Sequence, residues 1–301
     1  MRTMTCFLVL LLGLLPACTR DAESSGPQFG TKPSSSGVPL YRFAIHPLHN
    51  PAKLVQAYQP LVDALNARLH GARLALEASR DYANFEEKYR ARRPELLLPN
   101  PWQTLDAMKV GYHVIAMAGD PGDFKGLIVV PRDSEVKQPV DLKGKRVSYP
   151  SPTALAACIM PQYFLQTHGI DVNADIENRY VGSQESSIMN VFLGQTAAGA
   201  TWPPPWRAFQ KEHPLEAAKL KVLWETESLV NNSVMVRADV PAQVAGQVRA
   251  LLLGLEETTE GKSILEGIGT AHFLPASDED YDVVRRYVAR FENEVRPVEK
   301  Q

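Results

Sequence analysis

Residues 126–131 read Gly-Leu-Ile-Val-Val-Pro, and residues 143–149 read Lys-Gly-Lys-Arg-Val-Ser-Tyr. The first run is continuous, apolar and ended by proline, which predicts a buried strand. The second run begins a new series in which strands alternate with helices. We therefore predict that the chain crosses from one lobe to a second lobe near residue 131.

Before this crossing, short apolar strands alternate with amphipathic helices. Strands are predicted at 41–45, 74–78, 96–98 and 113–118. The first helix has one apolar face, which carries Leu54, Tyr58, Leu61, Val62, Leu65 and Leu69. This alternation is typical of a parallel sheet that is covered on both faces.

The segment after the crossing forms a second alternating series, which ends in a return strand at 233–237. The remaining chain reads as amphipathic helices, which alone form no third sheet. We expect these helices to close the first lobe, so that the second lobe is inserted into it. The prediction is an α/β chain of two lobes, each a mainly parallel sheet flanked by helices: lobe 1 is residues 39–131 and 232–301, and lobe 2 is 132–231.

The N-terminus has the form of a lipoprotein signal. Arg2 is followed by an apolar run at 7–15 and then by Leu15-Pro16-Ala17-Cys18. Nine apolar residues are too few for a membrane span, which needs about 20. We predict a signal peptide at 1–17, acylation of Cys18 and a flexible Ser-, Gly- and Pro-rich tether at 18–38. This places the domain, anchored by lipid, in the periplasm or on the outer face of the cytoplasmic membrane; a secretory signal without lipidation is the alternative.

Composition argues against several classes of function. The chain has 32 basic and 34 acidic residues, without the clustered basic residues and interleaved aromatics of a nucleic-acid groove. Neither a nucleophile elbow nor a nucleotide-binding glycine motif occurs. His46 and His49 have no carboxylate or cysteine at metal-ligand spacing. We therefore predict no catalytic residues, no metal and no cofactor.

Three cysteines occur, at positions 6, 18 and 158. Processing removes Cys6 and acylates Cys18, so the mature domain keeps one thiol and no internal disulfide. A lone thiol in an oxidising compartment is usually a small buried apolar group. Cys158 is predicted to be buried, and reactivity is the alternative.

Three joints between a strand and a helix carry candidate ligand-binding groups, because helix N-termini at such joints present free N–H groups. They are residues 149–157, residues 182–187 and residues 201–207. An ordinary helix start explains the first joint equally well, and a simple N-cap at Ser183 explains the second. At the third joint, Trp202 and Trp206 are predicted to form a pocket wall, with hydrophobic packing as the alternative. Asp81-Tyr82 and Asn100 follow strands of the first lobe and are expected to face the same cleft.

From Tyr41 to about Glu294, the chain resembles the phosphate-, phosphite- and phosphonate-binding components of ABC importers. The matching features are Tyr58-Gln59-Pro60-Leu61, Asp81-Tyr82, the run from Leu142 to Val147, Pro161, Gly182-Ser183, Trp224 and Asn231-Asn232. The resemblance implies the type II periplasmic-binding-protein fold and a monomer that serves a membrane permease and an ATPase. It also implies that a tetrahedral oxyanion is held by the backbone of Ala154, Leu155, Ala156 and Ala157, with Ser183, Gln184 and Tyr58.

The chain departs from this family at two places. Phosphonate binders commonly have a Ser-Thr-Ser-Gly run where this chain has Ala154 to Ala157, so hydroxyl donors are lost. Where an acidic residue would receive an ammonium group, this chain has Asn232, with Trp202 and Trp206 nearby. A cationic tail on the ligand is therefore disfavoured.

Two alternatives remain open at this point. A sensor of the same fold, for arsenite or another oxyanion, would act on a membrane histidine kinase instead of a permease. Some relatives sense arsenite through a pocket cysteine, and Cys158 lies one turn into the candidate helix. A hydrolase built on the same scaffold is the third hypothesis.

Overall fold

A computed structural model describes residues 37–298 of the chain, so the predicted signal peptide, Cys18 and the tether up to residue 36 lie outside the described residues. The strands are β1 Leu40–Ile45, β2 Arg73–Glu77, β3 Leu96–Leu98, β4 Tyr112–Ala118, β5 Lys125–Pro131, β6 Arg146–Tyr149, β7 Glu177–Tyr180, β8 Ala198–Thr201, β9 Leu220–Ser228, β10 Ser233–Arg237 and β11 Phe273–Leu274. The α-helices are α1 Pro51–Asn66, α2 Tyr82–Arg90, α3 Pro101–Met108, α4 Met160–Thr167, α5 Gln184–Phe192, α6 Pro203–Glu212, α7 Pro214–Ala217, α8 Ala242–Leu253, α9 Thr259–Gly267 and α10 Asp282–Glu294. A π-helical turn, Leu155–Ile159, runs directly into α4.

The described strands form two mixed sheets, one in each lobe. The first sheet has the order β11-β4-β10-β3-β1-β2, and the second has the order β7-β6-β8-β5-β9. In the first sheet only β10 and β11 run against the other strands, and in the second only β5 does. Four strands of each sheet therefore share one direction, which agrees with the predicted α/β, two-lobed type II fold.

Strand β5 belongs to the second sheet, where it pairs with β8 and β9. The boundary predicted near residue 131 is therefore corrected, because the chain has already crossed between the sheets before Lys125. The continuous apolar run of β5 signals burial on both faces, but burial does not identify the neighbouring strands.

Two short segments connect the sheets, residues 119–124 and residues 229–232. Residues 229–232 lead directly into β10, which lies at the predicted return strand. Val130 and Pro131, beside the predicted crossing, lie instead at the far end of β5, paired with Lys221 and Leu220. The sequence prediction therefore placed the first crossing too late in the chain, at residue 131 instead of within residues 119–124.

Helix α1 shows how local sequence produces an element. The Asn50 side chain accepts a hydrogen bond from the N–H of Lys53, and Pro51 occupies the first turn, where its missing N–H costs little. The buried residues are those of the predicted face, namely Leu54, Tyr58, Leu61, Val62 and Leu65. Among the residues 37–298, no helix combines the length and apolar character needed to cross a bilayer.

The segment after β10 is less uniformly helical than predicted, since β11 adds a two-residue edge strand to the first sheet beside β4. Helices α8 and α10 lie where the apolar periodicity predicts them, and α10 buries Val284, Tyr287, Val288 and Phe291.

Candidate functional site

The helix that begins at Leu155 presents an uncapped N-terminus to a pocket between the lobes. Ala154 precedes it in an extended conformation, and no side chain caps this end. The Ile159 N–H donates to the Ala154 carbonyl at 3.2 Å, which makes the first turn π-helical. The N–H groups of the first turn have no acceptor within a helix, and the helix dipole adds partial positive charge there. This end of the helix is suited to binding an anion.

The other two joints offer fewer donors. The Ser183 hydroxyl accepts from the Ser186 N–H at 3.1 Å, so one free donor of α5 is already satisfied. Residues 203–205, the first three of α6, are all proline and have no N–H to donate. Among the three predicted joints, the one at Ala154–Ala157 therefore retains the greatest capacity to bind an anion.

Residues of both lobes line this pocket, which we call the main pocket. They are His46, Tyr82, Asn100, Phe124, Ala154, Leu155, Ala156, Ala157, Gln184, Trp202 and Asn232. Seven of the predicted binding residues, Ala154 to Ala157, Gln184, Trp202 and Asn232, are thus brought together around one space.

Gln184 connects the two lobes beside the main pocket. Its Nε2 donates to the Tyr82 hydroxyl at 3.1 Å, and its Oε1 accepts from the Thr201 hydroxyl at 3.0 Å. Because Tyr82 lies in the first lobe while Gln184 and Thr201 lie in the second, this chain of hydrogen bonds forms only when the lobes are close together.

Tyr58 lies beside a second pocket, which adjoins the first and shares Trp202 and Asn232 with it. Tyr58 is buried, and burial raises the pKa of its hydroxyl, which stays protonated and able to donate. The structure therefore places Tyr58 near the predicted site but not in the wall of the main pocket.

Two predicted residues lie away from both pockets. Trp206 packs in the core of the second lobe, where its ring stacks on Phe209 with centroids 6.1 Å apart. Its placement corrects the predicted pocket wall, because position 206 faces the second sheet from the first turn of α6. Ser183 serves as the N-cap of α5, which is the simpler of the two readings of that joint.

Asn232 is held at the second connection between the lobes. Its backbone N–H donates to the side chain of Asn231 at 2.8 Å, and Asn231 is in turn fixed by the Tyr281 hydroxyl, which donates to its carbonyl at 2.7 Å. Asn232 is 3 % exposed, and its buried Oδ1 has no hydrogen-bond donor within the described residues. This acceptor is available to a ligand.

His46 is a pocket residue that the sequence analysis did not select. It is 2 % exposed, and its Nδ1 lies 2.9 Å from the Leu98 carbonyl oxygen. Burial lowers its pKa to about 4, with the nearby His49 acting in the same direction. The ring is therefore neutral at physiological pH. Only its position directly after the first strand of the sheet could have signalled this role.

Glu86 lies behind the site and joins the lobes. Although it is a charged residue, it is completely buried. Its carboxylate accepts from the Thr153 hydroxyl at 2.6 Å, from Gln103 at 3.2 Å and from Arg90 at 3.1 Å. Burial raises the pKa of Glu86, and these three neighbours oppose the rise. The carboxylate thus fixes the turn that leads into the pocket helix.

Cys158 is fully buried on the same helix, as predicted. Burial raises the pKa of its thiol to about 12, although the Arg296 guanidinium lies 3.7 Å from the sulfur and opposes the rise. Very little reactive thiolate exists at neutral pH, so the geometry favours a packing role.

One group of side chains at the edge of the cleft has the separation of metal ligands. Candidate ligand atoms of Glu185, Glu212 and His213 lie within 4.8 Å of one another. The Lys53 ammonium contacts the Glu212 carboxylate and lies 3.8 Å from Glu185. A lysine of the first lobe thus already pairs with two carboxylates of the second.

The sequence matches a known protein family and a characterised type of binding protein. The sequence profile of a family described as "ABC transporter, phosphonate, periplasmic substrate-binding protein" matches residues 43–281. A probable ABC transporter phosphite binding protein of Prochlorococcus marinus is 23 % identical over 196 residues. The aligned residues are 61 % of this chain and 66 % of that protein, so the match spans just under two thirds of the relative's length.

Two crystal structures share the fold. A binding protein component of an ABC phosphonate transporter from Pseudomonas aeruginosa superposes with a TM-score of 0.77 at 16 % identity, covering 86 % of this chain and 88 % of the other. The Prochlorococcus marinus protein in complex with methylphosphonate gives 0.76 at 19 % identity, covering 86 % and 100 %.

Proposed function

The chain belongs to the family of periplasmic substrate-binding proteins of phosphonate ABC transporters, and on that premise we propose that it captures a small phosphorus oxyanion in the main pocket. As a member it is a binding protein and not an enzyme. Backbone N–H groups at Leu155, Ala156 and Ala157 would hold the anion, with Gln184, Trp202 and Asn232 around it and Tyr58 nearby. A membrane permease and an ATPase would receive the ligand.

The observation that carries this proposal is the uncapped helix N-terminus facing a pocket whose walls come from both lobes. An oxyanion there would receive several N–H bonds at once, and hydrogen bonds to a charged group are worth about 1.5–3 kcal/mol each. Ligand contacts to both lobes would favour their closure, as in other hinged binding proteins.

Thermal unfolding of the full chain in mild detergent tests the proposal. Phosphate, phosphite, methylphosphonate, aminoethylphosphonate, sulfate and arsenite are compared. A ligand at 100 times its Kd stabilises the folded state by about 2.7 kcal/mol, which raises the Tm by a few degrees. We expect phosphite or methylphosphonate to raise the Tm and aminoethylphosphonate not to, because no carboxylate lines the main pocket among the described residues. If none of the phosphorus oxyanions raises the Tm, the proposed function is refuted.

We further propose that Cys18 is acylated and anchors the domain, as its signal-like context predicts. Expression of the wild-type chain and of Cys18→Ala in a bacterial host tests this by membrane fractionation. We expect the wild-type chain in the membrane fraction, with the mass of an acylated Cys18 peptide, and the variant without that modification. If the mature wild-type chain does not begin at Cys18, or if Cys18 carries no lipid, the proposed lipid anchor is wrong.

A further inference from the structure

The main pocket offers two hydrogen-bond acceptors to a ligand. The buried Oδ1 of Asn232 has no donor within the described residues. The Nδ1 of His46 faces the Leu98 carbonyl at 2.9 Å, and because a carbonyl only accepts, Nδ1 must carry the proton. In the neutral ring Nε2 is then an acceptor as well. A buried acceptor without a donor is costly, so Asn232 Oδ1 favours a ligand that brings a proton, and His46 offers a second acceptor in the same pocket wall.

The charge of the site points the same way. Among the described residues that line the main pocket, none is Asp, Glu, Lys or Arg. The positive potential comes from the N-terminus of the helix at Leu155, equivalent to about half an elementary charge. Such a site suits an anion of charge −1 better than a dianion, for which no further positive charge is present.

The titratable groups around His46 leave this arrangement intact at neutral pH. His49 has its pKa lowered to about 4 by burial, and the pKa of Tyr82, whose ring lies edge-on to His46, is raised by burial. The neighbouring Glu86 and Cys158 also raise the pKa of Tyr82. Arg90 pairs with Glu86, and Arg296 lies beside Cys158.

We propose that the main pocket binds its oxyanion in the singly protonated form, with charge −1, and rejects oxyanions that carry no proton in water, such as sulfate and alkanesulfonates. The inference rests on the proposed function and specifies the ligand's protonation state. The ligand O–H donates to Asn232 or His46, while its other oxygens accept from the backbone N–H groups at residues 155–157. A dianion in solution takes up one proton from the buffer acid as it binds, which leaves the buffer's conjugate base in solution. A sulfonate instead places an oxygen lone pair against each acceptor.

Methylphosphonate and methanesulfonate provide a test, since they have the same shape and differ in whether an oxygen holds a proton near neutral pH. Isothermal titration calorimetry of the full chain in detergent, at pH 6 to 9 and in buffers of different ionisation enthalpy, measures affinity and proton uptake. We expect methylphosphonate to bind about tenfold more weakly for each pH unit above its second pKa, with uptake of about one proton. We expect methanesulfonate to bind roughly 100-fold more weakly or worse.

Two variants test whether Asn232 causes the discrimination against methanesulfonate. Asn232→Leu removes the unpaired acceptor. It should reduce the ratio of methylphosphonate affinity to methanesulfonate affinity about tenfold or more. Asn190→Leu is the control, because Asn190 donates to the Ser186 carbonyl within α5 and lines neither pocket; it should leave discrimination unchanged. Proton uptake should persist in Glu86→Gln, which excludes that carboxyl as the proton's destination.

The outcomes separate this inference from the proposed function. Methylphosphonate binding that is independent of pH, or equal binding of methanesulfonate, overturns the protonated-ligand inference and leaves phosphorus oxyanion capture standing. If no phosphorus oxyanion binds at any pH, both fail.

Discussion

Leu155 is the first residue of the pocket helix, so its backbone N–H has no acceptor within that helix. The preceding residue, Ala154, has φ −74° and ψ 99°, a conformation that a following proline tolerates. A proline at position 155 would therefore remove one donor from the site without breaking the helix.

We expect Leu155→Pro to weaken binding of the phosphorus oxyanion by about 10- to 100-fold, which corresponds to one lost hydrogen bond to a charged group. Leu155→Ala is the matched control, since it loses the same buried side chain and keeps the N–H. Both variants should unfold more easily, because a buried Leu→Ala change costs about 2–5 kcal/mol. Titration calorimetry separates them: equal affinities in the two variants would show that this N–H does not contact the ligand.

Helix α2 carries two adjacent glutamates with opposite environments. Glu86 is buried and bonded to Thr153 of the other lobe, whereas the Glu87 side chain is 61 % exposed and pairs with Arg93. Burial raises the pKa of Glu86 above its ordinary value of 4.5. The folded state therefore binds the proton of Glu86 more tightly than the unfolded chain does.

The sign of the pH effect follows from this difference. The contribution of Glu86 to stability is greatest below its unfolded pKa and is lost as pH rises through its folded pKa, by about 1.4 kcal/mol per unit of difference. Compared with Glu86→Gln, the wild-type free energy of unfolding should fall progressively as pH rises above about 4.5. Urea denaturation between pH 4 and 8 measures this. Glu87→Gln serves as the control on the same helix, and a Glu86→Gln profile parallel to the wild type would disprove the assignment.

The two lobes are joined across the cleft by polar contacts as well as by their connecting segments. Lys53 of α1 pairs with Glu185 and Glu212 of the second lobe. These side chains are 23–42 % exposed, so water and salt screen the attraction.

Lys53→Ala should favour separation of the lobes and weaken ligand binding by two- to fivefold, in line with about 1 kcal/mol or less for such ion pairs. Small-angle X-ray scattering would report a larger radius of gyration for the ligand-free variant, and higher salt should reduce the difference. Lys109→Ala is the control, because Lys109 pairs with Asp106 within the first lobe. If both variants change the radius of gyration and the affinity equally, or if Lys53→Ala changes neither, then Lys53 does not help to close the lobes.

The sequence by itself determined the succession of elements, because apolar periodicity and capping residues act locally. The face of α1, the N-cap at Ser183 and the burial of Cys158 all follow from neighbours within a few positions. The same patterns selected Ala154 to Ala157 and Gln184 as candidate ligand-binding residues at the start of helices, and the two-lobed fold followed from the order of the elements.

Only the tertiary structure decided which distant groups meet. Strand β5 pairs in the second sheet because of partners about 70 and 95 residues away, which its own apolar run does not specify. Trp206 turns toward a core and Glu86 is buried beneath another lobe for the same reason. His46 becomes a neutral acceptor because burial disfavours its charged form and Leu98 fixes its proton. Burial and hydrogen-bond partners arise between segments that are distant in sequence, and these determine the chemistry of the pocket.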